Sequence, residues 1–181
     1  MDRRGFTLIE AMIVLVIAGI LAGLAIPSVV GWLPNYRIKR AARDLYSNMQ
    51  STKLNAIKAN DNWAIVFDTA TNSYLICSNR GTDSSWSNTG DNTIESTITF
   101  PDYGSGVNYG HGIAPTNATS GGGTFPADDV SYNSNVLVYN LRGTGNSGYV
   151  YIQNNQNTCY AIGTGSSGAV ILKKWYPSGW L

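Results

Sequence analysis

Charge is scarce in this sequence, and one long stretch has none at all. Only 13% of the 181 residues are charged, and no charged residue lies between Ala11 and Tyr36. A helix of that length exceeds what is needed to cross a hydrocarbon core of about 30 Å, at about 1.5 Å per residue. The carboxylate of Glu10 stands directly before this stretch. Because a carboxylate at the edge of an apolar span is costly unless a cation meets it, Glu10 is a functional candidate.

Histidine is equally scarce, and the overall charge is close to zero. His111 is the single histidine and lies in a glycine-rich segment, which leaves little for a histidine-based catalytic centre or zinc site. We therefore expect no enzymatic activity, no bound metal and no cofactor. The net charge of +1 implies no global attraction to nucleic acid.

A short basic opening, Met1–Gly5, precedes the apolar stretch. A secretory signal peptide would end at a cleavage site with small side chains, which Ala22, Ala25 and Ser28 supply. The apolar run instead continues into a helical pattern without a break. This continuity favours a membrane helix that stays in the mature protein.

The segment Gly5-Phe6-Thr7-Leu8-Ile9-Glu10, followed by an apolar helix that contains Pro27, resembles the N-terminus of type IV pilins and of type II secretion pseudopilins. The resemblance implies that a prepilin peptidase cleaves after Gly5 and methylates Phe6. It also implies that Glu10 is required for assembly. In a helical stack, Glu10 can pair with the Phe6 amine of a neighbouring subunit and so offset the cost of burying both ions. The alternative is that Glu10 lies at the headgroup level of an ordinary membrane anchor.

Pro27 cannot donate a backbone hydrogen bond, so it kinks or opens a helix. The resemblance implies a segment that melts when subunits pack into a filament. The alternative is a plain proline kink.

An amphipathic helix is predicted to continue beyond the apolar stretch. Its opposite face carries six basic residues against Asp44 alone, a net charge of +5. This stem resembles that of the GspH/FimT group of minor pilins. Basic residues after a span count against an external head, but large domains are translocated largely regardless of charge. The apolar positions recur at steps of three and four: Ile38, Ala41, Ala42, Leu45, Met49, Ala56 and Ile57.

Short runs of β-branched and aromatic residues alternate with turn residues from about Asn62 onward, which indicates antiparallel strands. We predict an α+β fold, with a long N-terminal helix packed on an antiparallel β-sheet head. Residues 1–5 would be a cleaved leader, 6–33 the transmembrane and assembly helix, 34–60 the stem, and 61–181 the head. Residues 79–91 and 103–129 are predicted surface loops. The predicted strands are 63–67, 74–78, 96–100, 136–139, 149–153, 158–162 and 169–172.

Cys77 and Cys159 fall in separate predicted strands. An even number of cysteines in an extracytoplasmic head is typical of a disulfide, and we predict one between them. Two separate buried thiols are the alternative.

Two GxGxxG sequences, Gly143–Gly148 and Gly163–Gly168, are followed by predicted strands. A dinucleotide site needs a helix at that point, so we interpret both as glycine-rich turns. Asp128 and Asp129 could contribute to a calcium site, although no matching calcium motif surrounds them.

Nucleic-acid binding is the main alternative to a purely structural role. Some FimT-type minor pilins bind DNA during natural transformation through a motif near the C-terminus. In the corresponding stretch, Lys173 and Lys174 could hold phosphates while Trp175 or Tyr176 stacks on a base. The arginines of that motif are absent here, and the head has a net charge of −4, with four basic against eight acidic residues.

The resemblance implies a structural minor pilin or pseudopilin, anchored once in the bacterial inner membrane with its head in the periplasm or outside on a filament. Its expected partners are other pilin or pseudopilin subunits, prepilin peptidase, the inner-membrane assembly platform and the membrane. A membrane-tethered β-domain that never polymerises is a further alternative, in which Glu10 would be dispensable.

Overall fold

The structure is a computed structural model that describes residues 6–181, except for the side chains of residue 22 and of residues 24–30. The chain divides into two compact units, of which the first ends at Leu33 and the second is Pro34–Leu181. A single helix, α1, extends over Leu8–Ala59. The strands of the second unit are β1 Trp63–Asp68, β2 Ser73–Asn79, β3 Thr93–Thr99, β4 Asn108–Tyr109, β5 Val136–Tyr139, β6 Gly148–Gln153, β7 Cys159–Thr164, β8 Val170–Tyr176 and β9 Gly179–Trp180. Two short 3₁₀ helices lie at Phe100–Tyr103 and Asn133–Asn135.

The strands form two antiparallel sheets rather than one. The first sheet has the order β3-β2-β1-β5, and the second has the order β4-β6-β7-β8-β9. The predicted α+β fold and all seven predicted strands are confirmed, but the division into two sheets was not predicted. The chain returns with β5 to pair with β1 before it begins the second sheet at β6. Strand patterns alone do not report which strands pair, so they could not reveal this division.

The second unit packs residues 34–59 of α1 against both sheets. Ile38, Leu45 and Met49 are fully buried, and they share one hydrophobic core with residues such as Ile65 of the first sheet and Ile162 of the second. Six of the seven predicted apolar stem positions are fully buried. The exception is Ile57, which is 43% exposed.

The helix ends where Asn60 adopts a left-handed backbone conformation, with φ 52°. The amide of Asp61 donates to the carbonyl of Ala56, and that of Asn60 donates to Ile57. These bonds satisfy carbonyls at the last turn, and asparagine tolerates the left-handed conformation better than most residues.

Residues 110–129, here called the strap, cross the outer face of the second sheet. The amide of Ala118 donates to Oη of Tyr151 over 3.0 Å, and Nε1 of Trp180 donates to the carbonyl of Thr116 over 2.8 Å. The ring of Phe125 packs edge-on against Tyr151, with 4.9 Å between ring centroids. The prediction that 103–129 is a surface loop is therefore only partly right. The small side chains of Ala114 and Ala118 allow a polar, glycine-rich segment to pack closely.

The glycine-rich turns are confirmed as turns, and they meet each other. Gly143 and Gly168 both have positive φ, 75° and 73°. A Cβ on Gly168 would lie only 2.0 Å from the carbonyl oxygen of Gly143, so no larger residue fits. Nζ of Lys53 on α1 donates to the carbonyl of Gly168 over 3.1 Å, which ties this pair of turns to the helix.

The edges of the first sheet are modified in ways that oppose further pairing. Along β5, the Asn146 side chain accepts from the amide of Val138 and donates to the carbonyl of Val136, both over 2.8 Å. The edge strand β3 has a register shift around Glu95, whose carboxylate accepts a hydrogen bond from Ser78. A bulge and a charge on an edge strand both hinder the addition of another strand.

Candidate functional site at the N-terminal helix

The first turn of α1 is closed by Thr7 and Glu10. The amide and the hydroxyl of Thr7 each donate to Oε2 of Glu10 over 2.8 Å, and the amide of Glu10 donates to Oγ1 of Thr7 over 3.3 Å. This reciprocal arrangement is a capping box, which satisfies amides at the start of a helix that have no partner within it. Hydrogen bonds from Thr7 of the same chain therefore hold the Glu10 carboxylate at the N-terminal end of the helix.

Thr7, which was not among the predicted site residues, is the hydrogen-bond partner of Glu10 in this cap. The signal was present, because threonine followed three residues later by glutamate at the start of an apolar helix is the pattern of a capping box.

Around this cap, the helix presents apolar side chains in every direction. The large apolar residues from Phe6 to Leu21 range from 51% exposed at Ile17 to 87% exposed at Phe6. Glu10 is the one charged residue in this segment. A helix that is apolar all round needs a covering that the isolated chain does not supply.

Two predicted site residues are not available for comparison with the structure. Gly5 lies outside the described residues, and so does the side chain of Pro27, although the backbone at Pro27 is helical. No helix whose residues the structure describes has a segment both long enough and apolar enough to cross a membrane.

Comparison with known proteins bears on this N-terminal segment. Residues 1–26 match the prokaryotic N-terminal methylation motif. This match confirms the resemblance to type IV pilin-like proteins at the N-terminus. The methylation motif covers the segment that holds Phe6, Thr7 and Glu10.

Among solved structures, the minor pseudopilin EpsH from the type 2 secretion system of Vibrio cholerae is similar over 74% of this chain and 94% of its own. The identity is 11% and the TM-score is 0.48. No match to the chain was found among curated proteins.

The predicted disulfide is not formed, because Cys77 and Cys159 are both free and buried. Cys77 lies on β2 of the first sheet and packs with Ala64, Val66 and Val136. Cys159 lies on β7 of the second sheet. The two cysteines belong to different sheets, which the sequence did not distinguish, so the alternative of two buried thiols is correct.

Burial makes both thiols poor nucleophiles. Burial raises the pKa of the Cys77 thiol to about 11 and that of the Cys159 thiol to about 11. Because the thiolate is the reactive form, neither residue is expected to react or exchange disulfides near neutral pH.

The three residues of the hypothesised DNA site are not brought together. Successive side chains of a strand point to opposite faces, so Lys173 and Trp175 share one face of β8 and Lys174 lies on the other. Nζ of Lys173 donates to the carbonyl of Ala118 in the strap, and Trp175 packs against Trp180. Nζ of Lys174 lies 4.7 Å from the ring centroid of Tyr176. Adjacency in sequence therefore does not place Lys173 and Lys174 on one surface.

His111 has a structural setting in the strap. Its Nδ1 lies 2.5 Å from Oδ1 of Asp129, and its ring stacks on Phe125 with 3.8 Å between centroids. Asp128 accepts hydrogen bonds from Asn135 and from the amide of Val130. Within residues 6–181, no group of three or more histidine, cysteine or acidic side chains is placed to hold a metal ion.

Proposed function

We propose that this protein is a structural minor pilin or pseudopilin subunit of a type IV pilus or a type II secretion pseudopilus. One observation carries the proposal. Within the segment that matches the methylation motif, residues 8–21 are helical, their large apolar side chains are exposed, and a single carboxylate lies at the first turn. Such a surface suits a lipid environment before assembly and a bundle of like helices afterwards.

The subunit would be matured by a prepilin peptidase that cleaves after Gly5 and methylates Phe6. Before assembly, residues 6–33 would hold it in the inner membrane, with the head in the periplasm. The inner-membrane assembly platform would then move it into the fibre, where pilin-like subunits surround the apolar helix. The absence of charge from Ala11 to Tyr36 supports this placement.

The capping box suggests how a carboxylate is held in an apolar setting. Thr7 supplies two donors to Glu10, so the carboxylate has partners before any neighbouring subunit arrives. In the fibre, the Phe6 amine of a neighbour would add a cationic partner. A buried ion pair of this kind would also help to fix the axial register between subunits.

Mass spectrometry of the mature N-terminus tests the processing step. We expect a chain that begins at Phe6 and carries one added methyl group. An intact Met1, or a cut near Ala25, would contradict the proposed maturation.

Substitution at Glu10 tests assembly. The Glu10→Ala variant should insert into membranes normally and fail to enter fibres, because it lacks the anion that pairs with the incoming amine. Glu10→Gln is the matched variant that keeps shape and hydrogen bonding without charge. Normal incorporation of both variants would favour the alternative of a membrane-tethered β-domain that does not polymerise.

A further inference from the structure

Two basic residues of the stem face no acidic side chain in the described part of the chain, and Arg43 interacts electrostatically with Tyr160. Lys39 and Arg43 lie one helical turn apart on α1, and both are exposed. Neither makes a hydrogen bond or ion pair with any residue in 6–181. Their charges are therefore available to something outside the chain.

The neighbouring basic residues are partly engaged. Nη1 of Arg37 lies 3.5 Å from Oγ of Ser105, and Nε of Arg40 lies 3.8 Å from the carboxylate of Asp44. The Arg40 and Asp44 side chains remain 64% and 45% exposed, so this pair stays in contact with solvent. Four cations within seven residues thus face a single acid on the same helix.

The position of these cations along the helix agrees with the thickness of a bilayer. A helix that enters the hydrocarbon core at Ala11 needs about 20 residues to cross it, at about 1.5 Å per residue. Lys39 follows that exit point by about 12 Å of helix. Side chains of a helix lean toward its N-terminus, and long basic side chains extend to bring their charge to the interface. The charges would therefore reach the level of the lipid phosphates.

We propose that Lys39 and Arg43, assisted by Arg37 and Arg40, form a binding surface for the phosphate groups of anionic phospholipids. The inference rests on the proposed function, because it requires the preceding helix to lie in a membrane. An arginine guanidinium can engage two phosphate oxygens at once, and a lysine ammonium attracts phosphate as a point charge. Basic clusters next to a membrane helix attract anionic lipids in this way.

The surface also accounts for an unusual charge distribution. Basic residues beyond a membrane helix oppose translocation of the segment that carries them. If anionic lipid binds these residues after translocation, the binding fixes the position of the helix across the bilayer until the subunit leaves the membrane for assembly. The acidic head of a second copy is the other source of negative charge, and the experiment separates it from lipid.

The full-length chain in lipid vesicles provides the test. A fluorophore is attached at Tyr36→Cys, beside the cations, and is selective because Cys77 and Cys159 are buried. Quenching by brominated phosphatidylglycerol is compared with quenching by brominated phosphatidylcholine at low and high salt. At low salt, we expect quenching by brominated phosphatidylglycerol to exceed quenching by brominated phosphatidylcholine by at least about threefold. At high salt, this ratio should be much closer to one.

The double variant Lys39→Gln and Arg43→Gln should remove most of that preference. The matched control, Lys58→Gln and Arg142→Gln, removes the same charge from two exposed positions and should keep it. Suppression of the preference by millimolar inorganic phosphate would overturn the lipid assignment in favour of a site for free phosphate. Charge-dependent crosslinking between copies without any lipid preference would overturn it in favour of an acidic neighbouring head.

The same measurement separates the inference from the proposed function. Equal quenching by the two lipids overturns the phosphate surface and leaves membrane insertion intact. No quenching by either lipid overturns insertion itself.

Discussion

Nζ of Lys173 donates a hydrogen bond to the carbonyl oxygen of Ala118 over 2.9 Å and so joins strand β8 to the strap. The same ammonium lies 5.8 Å from the ring centroid of Tyr149. A residue that the sequence suggested for phosphate binding therefore stabilises the outer face of the second sheet.

Replacing Lys173 with methionine keeps most of the side-chain volume and removes the donor. We expect the free energy of unfolding to fall by about 1–3 kcal/mol, because a hydrogen bond from a charged group is lost and the Ala118 carbonyl is left without it. Chemical denaturation of Lys173→Met measures this. Lys174→Met is the matched control, since no hydrogen bond to a strap carbonyl is lost there. Equal losses in the two variants would contradict the role assigned to Lys173.

The strap should also depend on Phe125, whose ring lies between His111 and Tyr151. We expect Phe125→Ala to lower the free energy of unfolding by about 1–3 kcal/mol, because a partly buried ring is removed. Hydrogen exchange at the Ala118 amide should quicken, since that amide donates to Tyr151. Ile113→Ala, at a side chain that is 64% exposed, should leave the exchange unchanged. Unaltered exchange in Phe125→Ala would show that the ring does not hold the strap.

The meeting of the two glycine turns leads to a prediction for Gly168. Alanine there would combine a positive φ with a Cβ 2.0 Å from the carbonyl oxygen of Gly143. We expect Gly168→Ala to destabilise the protein by about 2–4 kcal/mol, through backbone strain and steric overlap. Thermal unfolding is the measurement. Gly165→Ala, where the nearest atom to the new Cβ would be 3.9 Å away, should change stability by less than about 0.5 kcal/mol.

Because both thiols are buried, we expect the free energy of unfolding to fall at alkaline pH. Burial raises the pKa of Cys77 and that of Cys159 from 9.0 to about 11 in the folded protein. Between these values the unfolded chain loses the thiol protons and the folded chain keeps them, so stability is full below about pH 9 and falls as the pH rises. Unfolding free energies measured from pH 8 to 11 should show this slope. In the double variant Cys77→Ala and Cys159→Ala, the unfolding free energy should fall less steeply with pH, whatever the stability of the variant at pH 8. An unchanged slope would exclude the thiols as the cause of the loss.

Much of the fold could be predicted because the local patterns are strong. The stem stripe from Ile38 to Ala56 and the β-branched runs follow the periods of helix and strand, and the structure has both as expected. The two-residue strands β4 and β9 were missed because two residues carry no period. The division into two sheets was missed because pairing between distant strands leaves no local signal.

The candidate site divides in the same way. Glu10 could be found from its charge, and its partner Thr7 could have been found from the spacing of the capping box. The Cys77–Cys159 bridge and the grouping of Lys173 with Lys174 failed because both depend on which face or sheet a strand residue occupies. The sheet to which a strand belongs is set by tertiary packing, which composition and spacing do not encode. The alternation that separates Lys173 from Lys174 is instead a local property of any strand.

The edges of the first sheet have a consequence for crowding. In the proposed fibre, the heads would lie at high local concentration, where an exposed strand edge could pair with that of a neighbouring head. The side-chain amide of Asn146 is hydrogen-bonded to the backbone of β5, and the bulge at Glu95 interrupts β3. Neither edge strand therefore offers a regular row of free backbone groups to another strand. Neighbouring heads of the proposed fibre would therefore lie side by side without pairing their strands.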